Sequence, residues 1–270
     1  MVLPICPYPS RKFYFRPSWL SSGKLPRRFV VWDCETTGLS PDKDVVTQIA
    51  FALFEDGKIV KEFSRVLDWT REPRCDIRTL LKRLQYTREQ MEKDVFADRT
   101  GVNFDFDYER LRQGDPVKDV LRWAEDVLRQ SEKEKSGVLV GHNLFFDARM
   151  FSSCLQNFAY REEGYRLPAT QVIDTASVVK SLWSSSPVFL RPQDSCLDYL
   201  QRTQRSRAAL HEDYPNCKLQ TCAEVLDLPV DVNKMHEEAL EDCKAAGFLL
   251  HQAMPFIALA NPEEQKGFFS

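Results

Sequence analysis

From residue 29 onward the chain reads as short apolar runs alternating with amphipathic stretches. FVVWD at 29–33 is continuously apolar and ends in a carboxylate, the pattern of a strand buried on both faces. VVTQIAFALF at 45–54 and KIVKEFSRVL at 58–67 predict two more strands, and Asp56-Gly57 between them is a tight-hairpin signal. The stretch 29–67 therefore predicts a meander of three antiparallel strands. Asp115-Pro116 then offers an N-cap and a proline at the first helical position. Val117, Val120, Leu121, Ala124 and Leu128 follow at helical spacing, which predicts a helix over 116–130. Strands are expected at 138–141 and 171–174. Helices are expected at 146–158, 175–183, 218–228 and 237–253. A meander followed by strand–helix alternation implies an α/β layered domain on a mixed sheet.

Two segments depart from this rhythm. The first 28 residues carry Arg11, Lys12, Arg16, Lys24, Arg27 and Arg28 with no acidic residue, the composition of a mitochondrial transit segment. Pro4, Pro7, Pro9, Pro17 and Pro26 oppose the helix such a segment forms, so a basic arm packed on the domain is the competing expectation. Residues 184–216 begin with SSSP, hold a capping-box spacing at Ser195 and Asp198, and carry Arg202, Arg205 and Arg207. They read as an insertion. The organisation expected is an arm at 1–28, a domain at 29–254 interrupted at 184–216, and a tail at 255–270. Localisation is expected to be intracellular: mitochondrial if the arm is a transit segment, otherwise cytoplasmic or nuclear.

The composition of the 270 residues, 43% hydrophobic and 29% charged, is that of an ordinary globular chain. The longest apolar run, IAFALF at 49–54, is far short of a membrane span. No membrane partner is expected. Net charge is −3 from 37 basic and 40 acidic residues, so any grip on nucleic acid must come from local patches. Candidate patches are the 202–207 arginines and the cluster Arg71, Arg74, Arg78, Lys82, Arg83 and Arg88. The alternative for both is a solvated helix face. The eight cysteines form no C-x-x-C pair and are expected to be reduced and structural. No Walker-type glycine loop and no G-x-S-x-G occurs, which leaves nucleotide-driven motors and serine hydrolases without support.

The chemistry lies in carboxylates. Asp33 and Glu35 in VVWDCETTG alternate on a strand and share one face, roughly 7 Å apart at Cα. They end an apolar strand, where open α/β sheets place their ligands. Asp147 in VLVGHNLFFDARMF opens a helix after another apolar strand; a dipole-favoured residue of the first turn is its bland reading. Asp242 in MHEEALEDCKAAGFLL shares a helical stripe with Ala239, Ala246, Leu249 and Ala253, an expensive place for a carboxylate unless it is paired or metal-bound. Four carboxylates in one pocket cannot all ionise unaided. Two divalent cations balance the charge, and all-oxygen ligands favour Mg²⁺ or Mn²⁺ over zinc.

The segments DCETTG, GHNLFFDARMF and the His-and-Asp stretch at 236–242, in this order, resemble the three motifs of the DEDDh (DnaQ-like) 3′–5′ exonuclease family of the ribonuclease H-like superfamily. KLQTCAEVLDLP is similar to the helix before the third motif, and LQYTREQM at 84–91 faintly resembles the loop before the family's middle helix. The resemblance spans roughly 29–254. It implies a mixed five-stranded sheet, a three-strand antiparallel meander plus parallel strands, flanked by helices. It implies a two-metal exonuclease with Mg²⁺ as cofactor, two per site and replaceable by Mn²⁺, releasing nucleoside 5′-monophosphates from single-stranded DNA or RNA 3′ ends.

In that scheme Asp33 would bridge both metals, Glu35 and Asp242 would complete the shell of the first, and Asp147 would support the second through water. His236 would be the general base. Thr36, Thr37 and Leu39 would lie along the terminal nucleotide with Phe146 near it, and Asn143 would support the second motif. His142 would be a framework residue. His236 stands six residues before Asp242, one more than the family's usual spacing, with the surplus at the turn feeding the helix. If that surplus swings the ring away, Glu237 or Glu238 would be nearer the water. The alternative function is an exonuclease fold kept as a nucleic-acid or protein binding module with weak catalysis. Protein partners and the choice between DNA and RNA are not legible.

Overall fold

The computed structural model describes residues 27–82, 108–133, 138–159, 172–176, 218–235 and 238–258. Its centre is a six-stranded mixed sheet. The strands are β1 (Arg28–Thr36), β2 (Val46–Glu55), β3 (Lys58–Asp68), β4 (Asp115–Pro116), β5 (Leu139–Gly141) and β6 (Val172–Asp174), in the order β4-β3-β2-β1-β5-β6. β1, β2 and β3 pair antiparallel, as the meander predicts. β5 runs parallel to β1, and β6 parallel to β5. Helices with both ends among the described residues are α1 (Tyr108–Arg112), α2 (Val117–Lys133), α3 (Leu144–Phe158), α4 (Leu219–Val225) and α5 (Ala239–Ala258).

The hairpin turn follows from its two residues. Asp56 and Gly57 both take positive φ, 48° and 76°, as a two-residue turn matching the twist of its strands requires. Arg27 closes over it, with Nε and Nη2 each donating to an Asp56 carboxylate oxygen at 2.6 Å.

Strand alternation divides the core into two layers. Phe29, Val31, Ala50, Ala52 and Phe54 face α4 and α5, while Trp32, Cys34, Ile49 and Phe51 face α2 and α3. Asp33 and Glu35 therefore belong to the α5 side by parity, the side from which Asp242 comes. α3 crosses the end of the sheet where these carboxylates lie. Its Asp147 meets Cys34 of β1, and its Cys154 meets the Val46 N–H of β2. Its terminal Phe158 packs edge-on to Trp69, just past β3.

Several boundaries differ from the pattern. Among the described residues the sheet has six strands and not five, because Asp115-Pro116 pairs parallel with Leu67 and Asp68 instead of capping a helix. Gly114 makes that approach feasible, since a Cβ there would stand 2.6 Å from the Val66 carbonyl oxygen. The following helix starts at Val117 in consequence. The last helix starts at Ala239, which puts Asp242 in its first turn, where the dipole favours a carboxylate. The arm at 1–26, the motif at 84–91, the insertion at 184–216 and most of the expected helix at 175–183 lie outside the described residues. No helix among the described residues is long and apolar enough to cross a membrane.

α5 sits close on the sheet at Gly247, where a Cβ would stand 2.2 Å from Phe54 Cε2. The Phe54 ring is stacked on Phe29 at 5.1 Å and held edge-on by Phe248 at 5.3 Å, so it has no room to swing. Alanine is the better helix former by about 1 kcal/mol. Overpacking a close-packed core costs about 1–3 kcal/mol. The second effect should win. Gly247→Ala should lower stability in a denaturant melt, and an unchanged or raised midpoint would show the Phe54 ring to be free.

Candidate active site

β1 continues through Asp33 and Glu35 to Thr36, with Asp33 opposite Ala50 and Glu35 opposite Gln48 on β2. The register slips between Glu35 and Thr36, which ends regular pairing beside the two carboxylates. Oxygens of Asp33, Glu35 and Asp242 all lie within 4.8 Å of one another. Asp147 is 3% exposed, and its Oδ1 accepts the Cys34 N–H at 3.1 Å, which fixes it beside the same strand end. Four carboxylates from three separated segments thus converge.

Their electrostatics are those of a site that needs positive charge. Burial pushes the Asp33 carboxyl well above the usual carboxylate range, and Asp147, Asp242 and Glu35 each push it further. Asp147 is also raised, chiefly by burial, against the hydrogen bonds from its own and the Cys34 N–H that favour the anion. Three carboxylates within one ligand sphere, with a fourth at its edge, fit a hard divalent cation. Neighbouring Cys34 and Cys243 are pushed up by burial and by these carboxylates, which keeps them as neutral thiols. Cys34, Cys75, Cys154, Cys222 and Cys243 are in no disulfide; the other three cysteines lie outside the described residues.

A stability prediction follows. In the metal-free protein Asp33 and Asp147 bind protons more tightly than in the unfolded chain, where carboxyls titrate near about 4. Stability contributed by these groups therefore falls as pH rises from about 4 through their raised native values. Exposed Asp56 and Asp76, lowered by bonds from Arg27 and Thr79, act in the opposite sense and only below about pH 4. The melting temperature in EDTA should fall as pH rises above about 4, and Mn²⁺ should raise it more at the upper end. An equal Mn²⁺ effect at both ends would contradict this.

The loop after β1 is held from within. The Thr37 hydroxyl donates to Asp44 Oδ1 at 3.2 Å and accepts the Val45 N–H at 3.0 Å, while Asp44 Oδ2 accepts the Ser40 N–H at 2.9 Å. Thr37 is 1% exposed, so the side chain expected along a nucleotide is engaged inside the loop. Thr36 is half-buried, its hydroxyl donating to the Gly38 carbonyl at 2.8 Å, and Leu39 projects with 71% of its surface exposed. At the second motif Asn143 takes a left-handed conformation at the start of α3, and its N–H donates to Asp174 Oδ1 at 2.8 Å. Phe146 is half-buried against the core. Exposed Phe145 beside it lies under the Arg149 guanidinium. Thr175 donates to the Gly141 carbonyl, so the His142 Nδ1 that meets its hydroxyl at 3.0 Å is the protonated nitrogen.

His236 and Glu237 lie outside the described residues. Glu238 is engaged: Gln48 Nε2 donates to its Oε2 at 2.9 Å, and Arg110 pairs with its Oε1 at 2.8 Å. Of the basic cluster, Arg74 is built into the fold. It pairs with Glu72 at 2.9 Å and donates to the Asn157 and Phe158 carbonyls at the end of α3. Arg71 pairs with Asp68 at 2.9 Å, while Arg83, Arg88 and the arginines at 202–207 lie outside the described residues. Sequence reasoning passed over Gln48, Arg110 and Asp174. Asp174 had a signal, because QVID ends an apolar run in a carboxylate just as FVVWD does.

No family model matches the chain. A stretch of 155 residues, 57% of the chain, is 29% identical to a DNA polymerase III of PolC type from Streptococcus suis, covering 8% of that protein. A stretch of 153 residues, 56% of the chain, is 28% identical to the 3′–5′ exonuclease DinG of Bacillus subtilis, covering 13% of it. The chain thus corresponds to a small part of each relative. Among solved structures, E. coli exonuclease I in complex with a 5cy-dT13 oligonucleotide superposes with a TM-score of 0.51 at 14% identity, over 87% of this chain and 42% of that one. The zinc-bound form of the E. coli exonuclease I–ssDNA complex gives 0.50 at 12% identity, over 89% and 42%. These last two likenesses are likenesses of fold. They show that the chain shares the fold of exonuclease I, and the segments that converge at one sheet end are the ones that resemble the three motifs of the DEDDh (DnaQ-like) 3′–5′ exonuclease family.

Proposed function

We propose that this protein is a divalent-metal-dependent 3′–5′ exonuclease that removes nucleoside 5′-monophosphates from single-stranded nucleic acid ends. The observation that carries the reading is the meeting of Asp33, Glu35 and Asp242 within 4.8 Å, with Asp147 buried at the same strand end. Asp33, Glu35 and Asp242 would hold one cation, and Asp33 with Asp147 would hold a second. Two such ions stabilise the attacking and leaving oxygens of an in-line phosphoryl displacement. The protein's own part is placement. β1 presents Asp33 and Glu35 on one face, α5 brings Asp242 to them, and the Cys34 N–H aims Asp147. His236 is the proposed base, taking a proton from the attacking water. Leu39 and Phe146 are the proposed apolar contacts of the terminal nucleotide.

Retention of all four carboxylates speaks against a fold kept only for binding, since their mutual repulsion has no use without a cation. The test is an oligonucleotide labelled at either end, incubated with Mg²⁺, Mn²⁺ or EDTA. Metal-dependent release of 5′-monophosphate from the 3′ end is expected. Endonucleolytic products, or release that persists in EDTA, would overturn the reading. Matched DNA and RNA strands in the same assay assign the substrate.

A further inference from the structure

Gln48 is a polar side chain, 3% exposed, in the mostly apolar β2 and opposite Glu35. Its amide makes every bond it can. Nε2 donates to Ser64 Oγ at 2.8 Å and to Glu238 Oε2 at 2.9 Å. Oε1 accepts the Ala239 N–H at 3.2 Å and Arg110 Nη2 at 3.3 Å. The same Nη2 pairs with Glu238 Oε1 at 2.8 Å. Flipping the amide would set its oxygen against the Glu238 carboxylate and its NH₂ against two donors, so the partners dictate its orientation.

The anchoring has a mechanical consequence. Ala239 is the first residue of α5, and its N–H is one of the donors a helix start leaves without an internal acceptor. Gln48 satisfies it from a strand 191 residues away, and Arg110 of α1 braces the residue just before the helix. Asp242 is one turn further on. A small rotation or slide of that turn would carry its carboxylate out of the cluster with Asp33 and Glu35.

We infer that Arg110, Gln48 and Glu238 form a positioning clamp that sets the first turn of α5 and so the place of Asp242 in the metal site. The inference rests on the proposed function only for the identity of that site. Arg110 is thereby a positioning residue and not a phosphate contact.

The test titrates the full chain with Mn²⁺ by calorimetry, without nucleic acid, and measures kcat and KM on a single-stranded oligonucleotide. Outer partners of metal ligands typically change metal affinity about 10–100-fold. Arg110→Gln should weaken Mn²⁺ binding on that scale and lower kcat, with KM for the oligonucleotide within about twofold. Arg110→Lys should recover part of the loss. Glu238→Ala, in which Gln48 keeps its bond to Ala239, should shift Mn²⁺ affinity in the same direction and serves if Arg110→Gln does not fold. Unchanged Mn²⁺ affinity with a raised KM in the Arg110 variants would overturn the clamp and make Arg110 a strand contact. Parent-like Mn²⁺ affinity in Glu238→Ala would overturn it as well. Asp33→Asn is the reference that separates the two readings. A parent that binds Mn²⁺ through Asp33 but hydrolyses nothing sinks the function and leaves the clamp decided by affinity. A parent whose Mn²⁺ binding ignores Asp33 overturns both.

Discussion

Asp33→Asn is expected to abolish metal-dependent turnover, by more than the ~100-fold that losing an outer partner of a ligand costs. Asp33 is the hub of the cluster, since the charges of Asp147, Asp242 and Glu35 all act on it. It is also the residue that would face both ions, so its amide would weaken both at once. The exchange keeps size and shape and removes one of four crowded charges. Stability in EDTA near neutral pH should therefore hold or rise, because the repulsion and desolvation that raise the carboxyl disappear. Turnover on a labelled oligonucleotide with saturating Mn²⁺, beside a thermal melt in EDTA, reads both effects. Turnover within tenfold of the parent would contradict the assignment, and so would a folded protein that melts far lower.

The second large effect is expected at His236. A general base contributes ~10²–10⁴-fold, and histidine has a suitable pKa unaided. His236→Ala should lose turnover on that scale with Mn²⁺ affinity barely changed. The surplus residue before Asp242 is expected to bulge in the turn, because the first turn of α5 is tied to β2 through Ala239 and cannot slip to absorb it. Glu238 is a poor substitute base, since Gln48 and Arg110 occupy both of its oxygens. Near-full activity of His236→Ala across about pH 6–9 would contradict this, and Glu237→Ala would then be the variant to measure.

The candidate carboxylates were legible because each sits where local pattern exposes it. Asp33 and Glu35 end an apolar run with strand parity, Asp147 opens a helix after an apolar strand, and Asp242 interrupts an apolar helical stripe. The bonding of Thr37 was hidden for a physical reason: in sequence it is one of two adjacent threonines in a turn, and only the fold shows Asp44 reaching its hydroxyl. The Gln48 clamp was hidden because its partners come from positions 64, 110, 238 and 239, and no local periodicity connects them. The edge strand at Asp115-Pro116 was hidden by a dipeptide that equally suits a helix start, the choice resting on Gly114 lying against the Val66 backbone.

The most direct measurement is anomalous diffraction from a crystal of the full chain grown with Mn²⁺. Two Mn²⁺ peaks ~4 Å apart are expected. Asp33 should lie between them, Glu35 and Asp242 on one ion, and Asp147 towards the other. Manganese bound elsewhere on the chain, with Asp33, Glu35 and Asp242 free of it at saturating concentration, would contradict the account.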